Sequence, residues 1–408
     1  MWFIYLILII LLIYISLTAY IRIKMKFWST QPVFHIYNIW YWLNPPGLIL
    51  ENAPEINKYT NILDIKTYGI SEINETLLDR ACNFIKSYYV QSPHAKYIPA
   101  KNNIVDYLTS CNNESYISIY QTPKILFEKD EPSGILDEII SVITARSLNI
   151  TLKGKNPFTL YYVDNLCVHP DYRKDGIAPQ TIETHYYNLR KNNPKIKSCL
   201  FKREGKLNAI VPLTTYKTVC FNISFLEKMP PQDINVIEIG PNQLTLFVNF
   251  IYSQAKKFDC IIMPDLSNML NMIKTENVYV YGTLMRGNLI AAYAFRRPSL
   301  FYAKEEAIEC FFSLYADKLV TDKLVTDKLV TDKLVNDIYI TGFNISLNKC
   351  KEKLKTNILL IEDIGQSGKL VDYLQNNLLN VLFQSPTAFF LYNYACYTVQ
   401  SQKALIFY

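Results

Sequence analysis

The residues best suited to chemistry lie in one run: Asp164-Asn165-Leu166-Cys167-Val168-His169-Pro170-Asp171-Tyr172-Arg173-Lys174-Asp175-Gly176-Ile177-Ala178-Pro179. Leu160 to Val168 reads as a strand, the residues up to Gly176 as a turn, and the stretch after it, through Arg190, as a helix. Such a turn aims backbone N–H groups and the positive end of a helix at an anion. Gly176 permits close approach there, and Arg173 and Lys174 add charge. Pyrophosphate is the fitting ligand. Cys167 falls inside the apolar strand pattern, which predicts core packing rather than a nucleophile. His169 is expected to cap the strand end, while His35, His94 and His185 have no ligand spacing and are expected at the surface. The nine cysteines include no CxxC pair and are odd in number, which argues against a metal site or a disulfide framework and for a reducing compartment.

The spacing of Arg173, Gly176 and Ala178 resembles the acyl-CoA pyrophosphate loop of the Gcn5-related acetyltransferase superfamily. Leu166-Cys167-Val168-His169, followed by Arg173 and Ala178-Pro179, resembles more specifically the signature of N-myristoyltransferases, usually Asn-Phe-Leu-Cys-Val-His, a basic turn and a Pro. An unlinked second motif, Lys26-Phe27-Trp28-Ser29-Thr30-Gln31-Pro32-Val33, resembles that family's Phe-Trp-x-Thr-Gln-Pro-Val arm. Tyr97-Ile98-Pro99, Leu391-Tyr392-Asn393-Tyr394 and the terminal Lys403 to Tyr408 are thinner likenesses, so the resemblance spans residues 26–408.

The resemblance implies transfer of a fatty acyl group, usually myristoyl, from acyl-CoA as co-substrate to the α-amino group of an N-terminal glycine on a peptide or protein. It implies direct attack on the thioester and needs no metal. By the same resemblance Lys26, Phe27 and Trp28, together with Leu166, Cys167, Val168 and Arg173, Lys174, Asp175, Gly176, Ile177, Ala178 and Pro179, hold CoA. The backbone N–H groups of Asn165 and Leu166 form the oxyanion hole; Tyr97, Asp164 and Tyr408 meet the substrate; the C-terminal carboxylate of Tyr408 is the base. A carboxylate in a dry site gains basicity by desolvation, and the apolar run Ala404 to Tyr408 predicts a buried tail, against the alternative of an exposed edge strand.

Some positions depart from the family pattern. Asp164 replaces an Asn that contacts the glycine amine, and Asn165 replaces a Phe. Tyr89-Val90 is followed by Gln91-Ser92-Pro93-His94 in place of an acidic cluster, so a preference for basic residues downstream of the glycine is not implied. Asn208 to Pro212 is the nearest match to the family's Thr-x-Gly segment. These departures leave two rival readings: an acetyltransferase of another substrate, and a membrane protein that kept the fold and lost turnover.

The elements that position this chemistry fit 408 residues as an N-terminal anchor plus two domains. Trp2 to Ile21 is uncharged and about the ~20 residues needed to cross a bilayer. Arg22, Lys24 and Lys26 follow it, which predicts an uncleaved single span with the N-terminus outside and the body cytosolic. A lumenal body would instead expose the sequons at Asn74, Asn113, Asn149, Asn222 and Asn344 to glycosylation. The rest alternates helices and strands, giving an α/β (α+β) class. The resemblance divides it into two tandem acyltransferase-like domains, each a twisted mixed sheet flanked by helices. Residues 1–22 are the transmembrane anchor, 23–224 bind acyl-CoA, and 225–408 bind the peptide. Residues 317–335 repeat Asp-Lys-Leu-Val-Thr with a period of five that fits neither helix nor strand, which reads as a surface insertion or, alternatively, a coiled partner-binding helix. The net charge of +6 is scattered, so nucleic acid is not an expected partner.

Overall fold

The computed structural model describes residues 2–92, 95–128, 131–205, 209–224, 226, 234–302, 304–316, 328–377 and 380–408. His94, Asn208, Phe225 and the repeat units in 317–327 lie outside the described residues. Fourteen strands form one mixed sheet: β1 (Ile65–Gly69), β2 (Tyr116–Glu128), β3 (Glu131–Leu152), β4 (Phe158–Val168), β5 (Cys199–Glu204), β6 (Thr214–Asn222), β7 (Asn235–Glu238), β8 (Cys260–Met263), β9 (Val278–Met285), β10 (Asn288–Arg296), β11 (Ile308–Tyr315), β12 (Ile358–Glu362), β13 (Asn380–Tyr392) and β14 (Ala404–Ile406). Their order is β14-β8-β3-β4-β5-β13-β6-β12-β11-β10-β9-β7, with β2 also on β3 and β1 on β2. The sheet runs unbroken past residue 224. β8 from the second half of the chain pairs with β3, and β13 is inserted between β5 and β6.

Four of the helices are α1 (Trp2–Lys24), α2 (Glu75–Tyr88), α3 (Ile177–Asn192) and α4 (Lys328–Leu354). α2 starts where the Asn74 side chain accepts from the Thr76 N–H at 2.9 Å, and it buries Leu78, Ala81, Cys82 and Ile85, one stripe at helical spacing. The described end of the repeat opens α4, whose Tyr339, Phe343, Leu347 and Cys350 are fully buried against the sheet. A hairpin at Met285–Asn288 joins β9 to β10; Arg286 and Gly287 both take positive φ, as a two-residue type I′ turn demands.

α1 is long and apolar enough to cross a membrane, with a mean hydropathy of 2.6 and a length of about 34 Å. A signal sequence would meet the same criterion of length and composition. Ile21 alone in α1 is buried against the body.

Candidate active site

β4 and β5 run parallel, which requires a crossover, and α3 supplies it. They are paired only through Tyr161–Cys199, Tyr162–Leu200 and Val163–Phe201, and then diverge. On its other side β4 slips register against β3 between Val142 and Thr144, leaving Asn165 and Leu166 without partners in the register, with Asn165 at φ +54°. Splay and bulge together open the sheet at its middle. On one side lies an apolar cavity of about 150 Å³ walled by Trp28, Val163, Leu166, Ile182, Leu189 and Phe201. On the other lies a polar cavity of about 470 Å³ reached by Tyr97, Tyr107, Arg146, Arg296 and Tyr408. Tyr89, Asp164, Asn165 and Lys202 line both.

Asp164 therefore stands at the junction. Its Oδ1 accepts from the Asn165 backbone N–H at 2.7 Å and from the Tyr89 hydroxyl at 3.3 Å. The Asn165 side chain donates to Thr144 Oγ1 at 3.0 Å, and that hydroxyl donates to the Asp164 carbonyl at 3.1 Å. Two hydrogen bonds thus brace the bulge against β3. Burial first, and then the facing Asp164 carboxylate, push the Tyr89 and Tyr97 phenols up, so both stay protonated donors.

Tyr408 closes the far wall. β14 lies parallel to β8, and the Phe407 N–H donates to the Ile262 carbonyl at 2.8 Å, which carries the last residue inward; Tyr408 is 2% exposed. Its phenol donates to Glu362 Oε1 at 2.7 Å and accepts from Lys202 Nζ at 2.9 Å and Arg296 Nη2 at 2.7 Å. Arg296 Nη1 donates to the Tyr408 main-chain oxygen at 3.2 Å. Lys202 pairs with Glu362 at 2.6 Å, and Arg296 with Glu309 at 2.7 Å. Two cations, two side-chain carboxylates and the main-chain end of Tyr408 thus meet in a nearly dry cluster, where burial demands that each charge find a partner. Burial alone would raise the Glu309 carboxyl, but Arg296 and Lys202 override it and hold it low.

The turn after β4 is built as the sequence suggests: a single 3₁₀ turn Pro170–Tyr172, then Lys174 and Gly176 at φ +77° and +79°, then α3. Among the described residues nothing lies within 4 Å of where a Gly176 side chain would start, so the turn is open at that position. Arg173 ties it down, donating from Nε to the Val168 carbonyl at 3.1 Å and from Nη2 to the Tyr88 carbonyl at 2.9 Å. Lys174, Asp175 and Gly176 are exposed, Ile177 is buried, and Ala178 and Pro179 are half-buried. None of the seven residues Arg173–Pro179 lines either cavity. In the arm, Lys26 is exposed and Phe27 is buried edge-on to Trp28 and Tyr59. Trp28 stacks on Phe201 at 5.5 Å and so reaches the apolar cavity. Cys167 is 2% exposed among Leu78, Ala81 and Ile85, and burial pushes its thiol up to about 12; Val168 is half-buried at the end of β4.

Two expectations need correction. His35 and His185 are not at the surface but buried. His35 stacks on Tyr37 with Nε2 3.2 Å from the Gln31 carbonyl, and His185 points its Nδ1 at Ser118 Oγ, 2.6 Å away, from the wall of the apolar cavity. A histidine on the inner face of an amphipathic helix has no spacing signal that separates it from an outer one. His169 does cap the strand end, accepting from the Asp171 N–H at 3.3 Å while packing on Tyr88. Lys202, Glu309, Glu362, Arg296 and Arg146 were not singled out from the sequence; the signal was present as charges set within apolar strand runs.

The sequence matches no protein-family model, and no curated protein matches it either. Solved structures do match. The N-myristoyltransferase of Saccharomyces cerevisiae with bound myristoyl-CoA superposes with a TM-score of 0.67 at 13% identity, over 92% of this chain and 94% of that one. A second structure of it with bound myristoyl-CoA gives 0.69 at 14% identity over 93% and 90%. A third, with myristoyl-CoA and inhibitors, gives 0.67 at 13% over 95% of each chain. Over 92–95% of its residues, this chain has the fold of an N-myristoyltransferase.

Proposed function

We propose that the protein is an acyl-CoA-dependent N-acyltransferase that moves a fatty acyl group, myristoyl first among candidates, onto the amino group of an N-terminal glycine. The observation that carries this reading is the meeting of an apolar and a polar cavity at the β4 bulge. An acyl chain in the first and an amine in the second place thioester and nucleophile at Asp164–Leu166. The Leu166 and Asn165 N–H groups would steady the oxyanion, and Asp164 would hold the ammonium. The turn 173–177 would take the CoA pyrophosphate, with the arm Lys26–Trp28 beside it. The proposed base is the Tyr408 main-chain carboxylate, supported by its burial; the Arg296 contact works against its basicity. We extend the proposal to two acyltransferase-like halves meeting near residue 224 and to membrane anchoring by α1, with the body in the cytosol.

One observation favours a second reading, a protein that keeps the fold without turnover. The Asn165 N–H, one of the two oxyanion donors, is already taken by Asp164. The test is thiol release from acyl-CoA thioesters of graded chain length, with peptides beginning in glycine, on the native chain and on one extended by a residue after Tyr408. Transfer that peaks at long chains and is lost on extension supports the full mechanism. Transfer that survives extension removes Tyr408 as the base. Tight acyl-CoA binding without transfer supports the second reading.

A further inference from the structure

Among the cations walling the larger cavity, Arg146 lacks what its neighbours have. Arg296 pairs with Glu309, Arg297 with Glu306 and Lys202 with Glu362, but among the described residues no carboxylate pairs with Arg146. It is 4% exposed, donates from Nη1 to Asn268 Oδ1 at 2.8 Å, and lies over the rings of Tyr107 and Tyr162 at 5.3 and 5.8 Å. Nearby Asp265 is committed elsewhere, accepting from the Asn112 N–H and from the side chains of Asn112, Ser147 and Asn149. Burial accordingly pushes Arg146 down from its usual range. A guanidinium held this way without a counter-charge is costly, and an anion arriving in the cavity relieves that cost.

The sheet register says where that anion would lie. Thr144 pairs with Asp164 and Arg146 with Tyr162, so Arg146 and Asp164 project from one face as diagonal neighbours, about 7–8 Å apart at Cα. The wall thus offers a carboxylate and an unpaired cation a short step apart. Resting on the acyl-transfer reading above, we propose that the acceptor carries a carboxylate close to its reactive amino group, the amine facing Asp164 and the carboxylate bound by Arg146. The carboxylate has two possible sources: the α-carboxylate of a free amino acid, or an acidic side chain next to an N-terminal glycine.

Calorimetric binding with coenzyme A added tests this with two matched pairs: glycine against glycinamide, and a Gly-Asp peptide amide against its Gly-Asn twin. The acidic member of at least one pair should bind at least tenfold tighter, and the pair that shows the gap identifies the source. Arg146→Gln should bring that ligand to the level of its neutral twin, and Arg146→Lys should restore part of the gap. Equal binding within both pairs, no binding of any ligand, or a gap that survives Arg146→Gln overturns the proposal. Should Arg146→Gln not fold, the pairs measured on the native protein decide alone. An acidic ligand that binds through Arg146 but accepts no acyl group defeats the proposed reaction and leaves this assignment standing.

Discussion

His185 carries a consequence for stability that follows from its surroundings. The ring is 1% exposed on α3; Nδ1 meets Ser118 Oγ at 2.6 Å, and among the described residues Nε2 has no partner. Burial pushes it down to about 3, so the folded protein holds it neutral, whereas in the unfolded chain it ionises near 6.5. Between those values the unfolded state binds the extra proton, so stability rises with pH and falls on acidification, by at most about 1.4 kcal/mol per pH unit. Glu183, two residues away, is raised by burial and works in the opposite direction as it takes up a proton. The melting temperature should therefore drop as pH goes from 7 to 5, and His185→Gln should flatten that slope; an unchanged slope would refute the account. At this scale the sequence showed the run Asp164–Gly176, because those residues are consecutive. Lys202, Arg296, Glu309 and Glu362 come from β5, β10, β11 and β12, and only the strand order brings them together. Arg146 was readable, since Val142-Ile143-Thr144-Ala145 leads straight into it, but the charges missing around it could be seen only in three dimensions.

Helix α4 shows how tightly an element can be seated. A Cβ on Gly342 would sit 2.2 Å from Thr283 Oγ1 and 2.7 Å from the Tyr293 hydroxyl, so the helix lies against β9 and β10 with no room for a methyl group. Gly342→Ala gains helix propensity of about 1 kcal/mol but overpacks by about 1–3 kcal/mol. The net is a modest loss, and thermal denaturation should show a melting temperature lowered by a few degrees; an unchanged or raised value would mean that α4 lifts off the sheet freely. Helices were legible here because 3.6-residue spacing survives without knowledge of neighbours, as in α2 and in α3. Strands were less so. Tyr116 to Tyr120 and Ile125 to Phe127 are separate β-prone runs with Pro123 between them, yet they belong to one strand, β2. β1 pairs with β2 as far as Tyr120, with one further bond from the Gln121 N–H to the Asp64 carbonyl, and beyond it no strand among the described residues pairs with that edge of β2, so a proline breaks no ladder bond there. The insertion of β13 between β5 and β6 left no trace in the sequence, because strand order is a property of the sheet and not of any one strand.

At the scale of the whole molecule, α1 is an apolar surface that the body does not cover. Its residues from Trp2 to Leu12 are all exposed, and the charged Arg22, Lys24 and Lys26 gather where it meets the CoA-binding arm proposed at Lys26–Trp28. An apolar helix of that length left bare in water is unfavourable, and a bilayer removes the cost. If the basic end stays on the cytosolic side, the mouth of the apolar cavity lies near the membrane face, where an acylated product can pass into lipid. Orientation has a readout independent of turnover. Asn74 and Asn149 begin sequons and are exposed, so a body facing the lumen offers them to glycosylation, while the fully buried Asn344 is uninformative. Expressed in eukaryotic cells, the chain should pellet with membranes and keep its mobility after endoglycosidase treatment. A chain lacking residues 2–21 should move to the soluble fraction and bind acyl-CoA as before, since Ile21 alone in α1 is buried against the body. A mobility shift at Asn74 or Asn149 would reverse the orientation, and loss of acyl-CoA binding on deletion would make α1 part of the site rather than its tether.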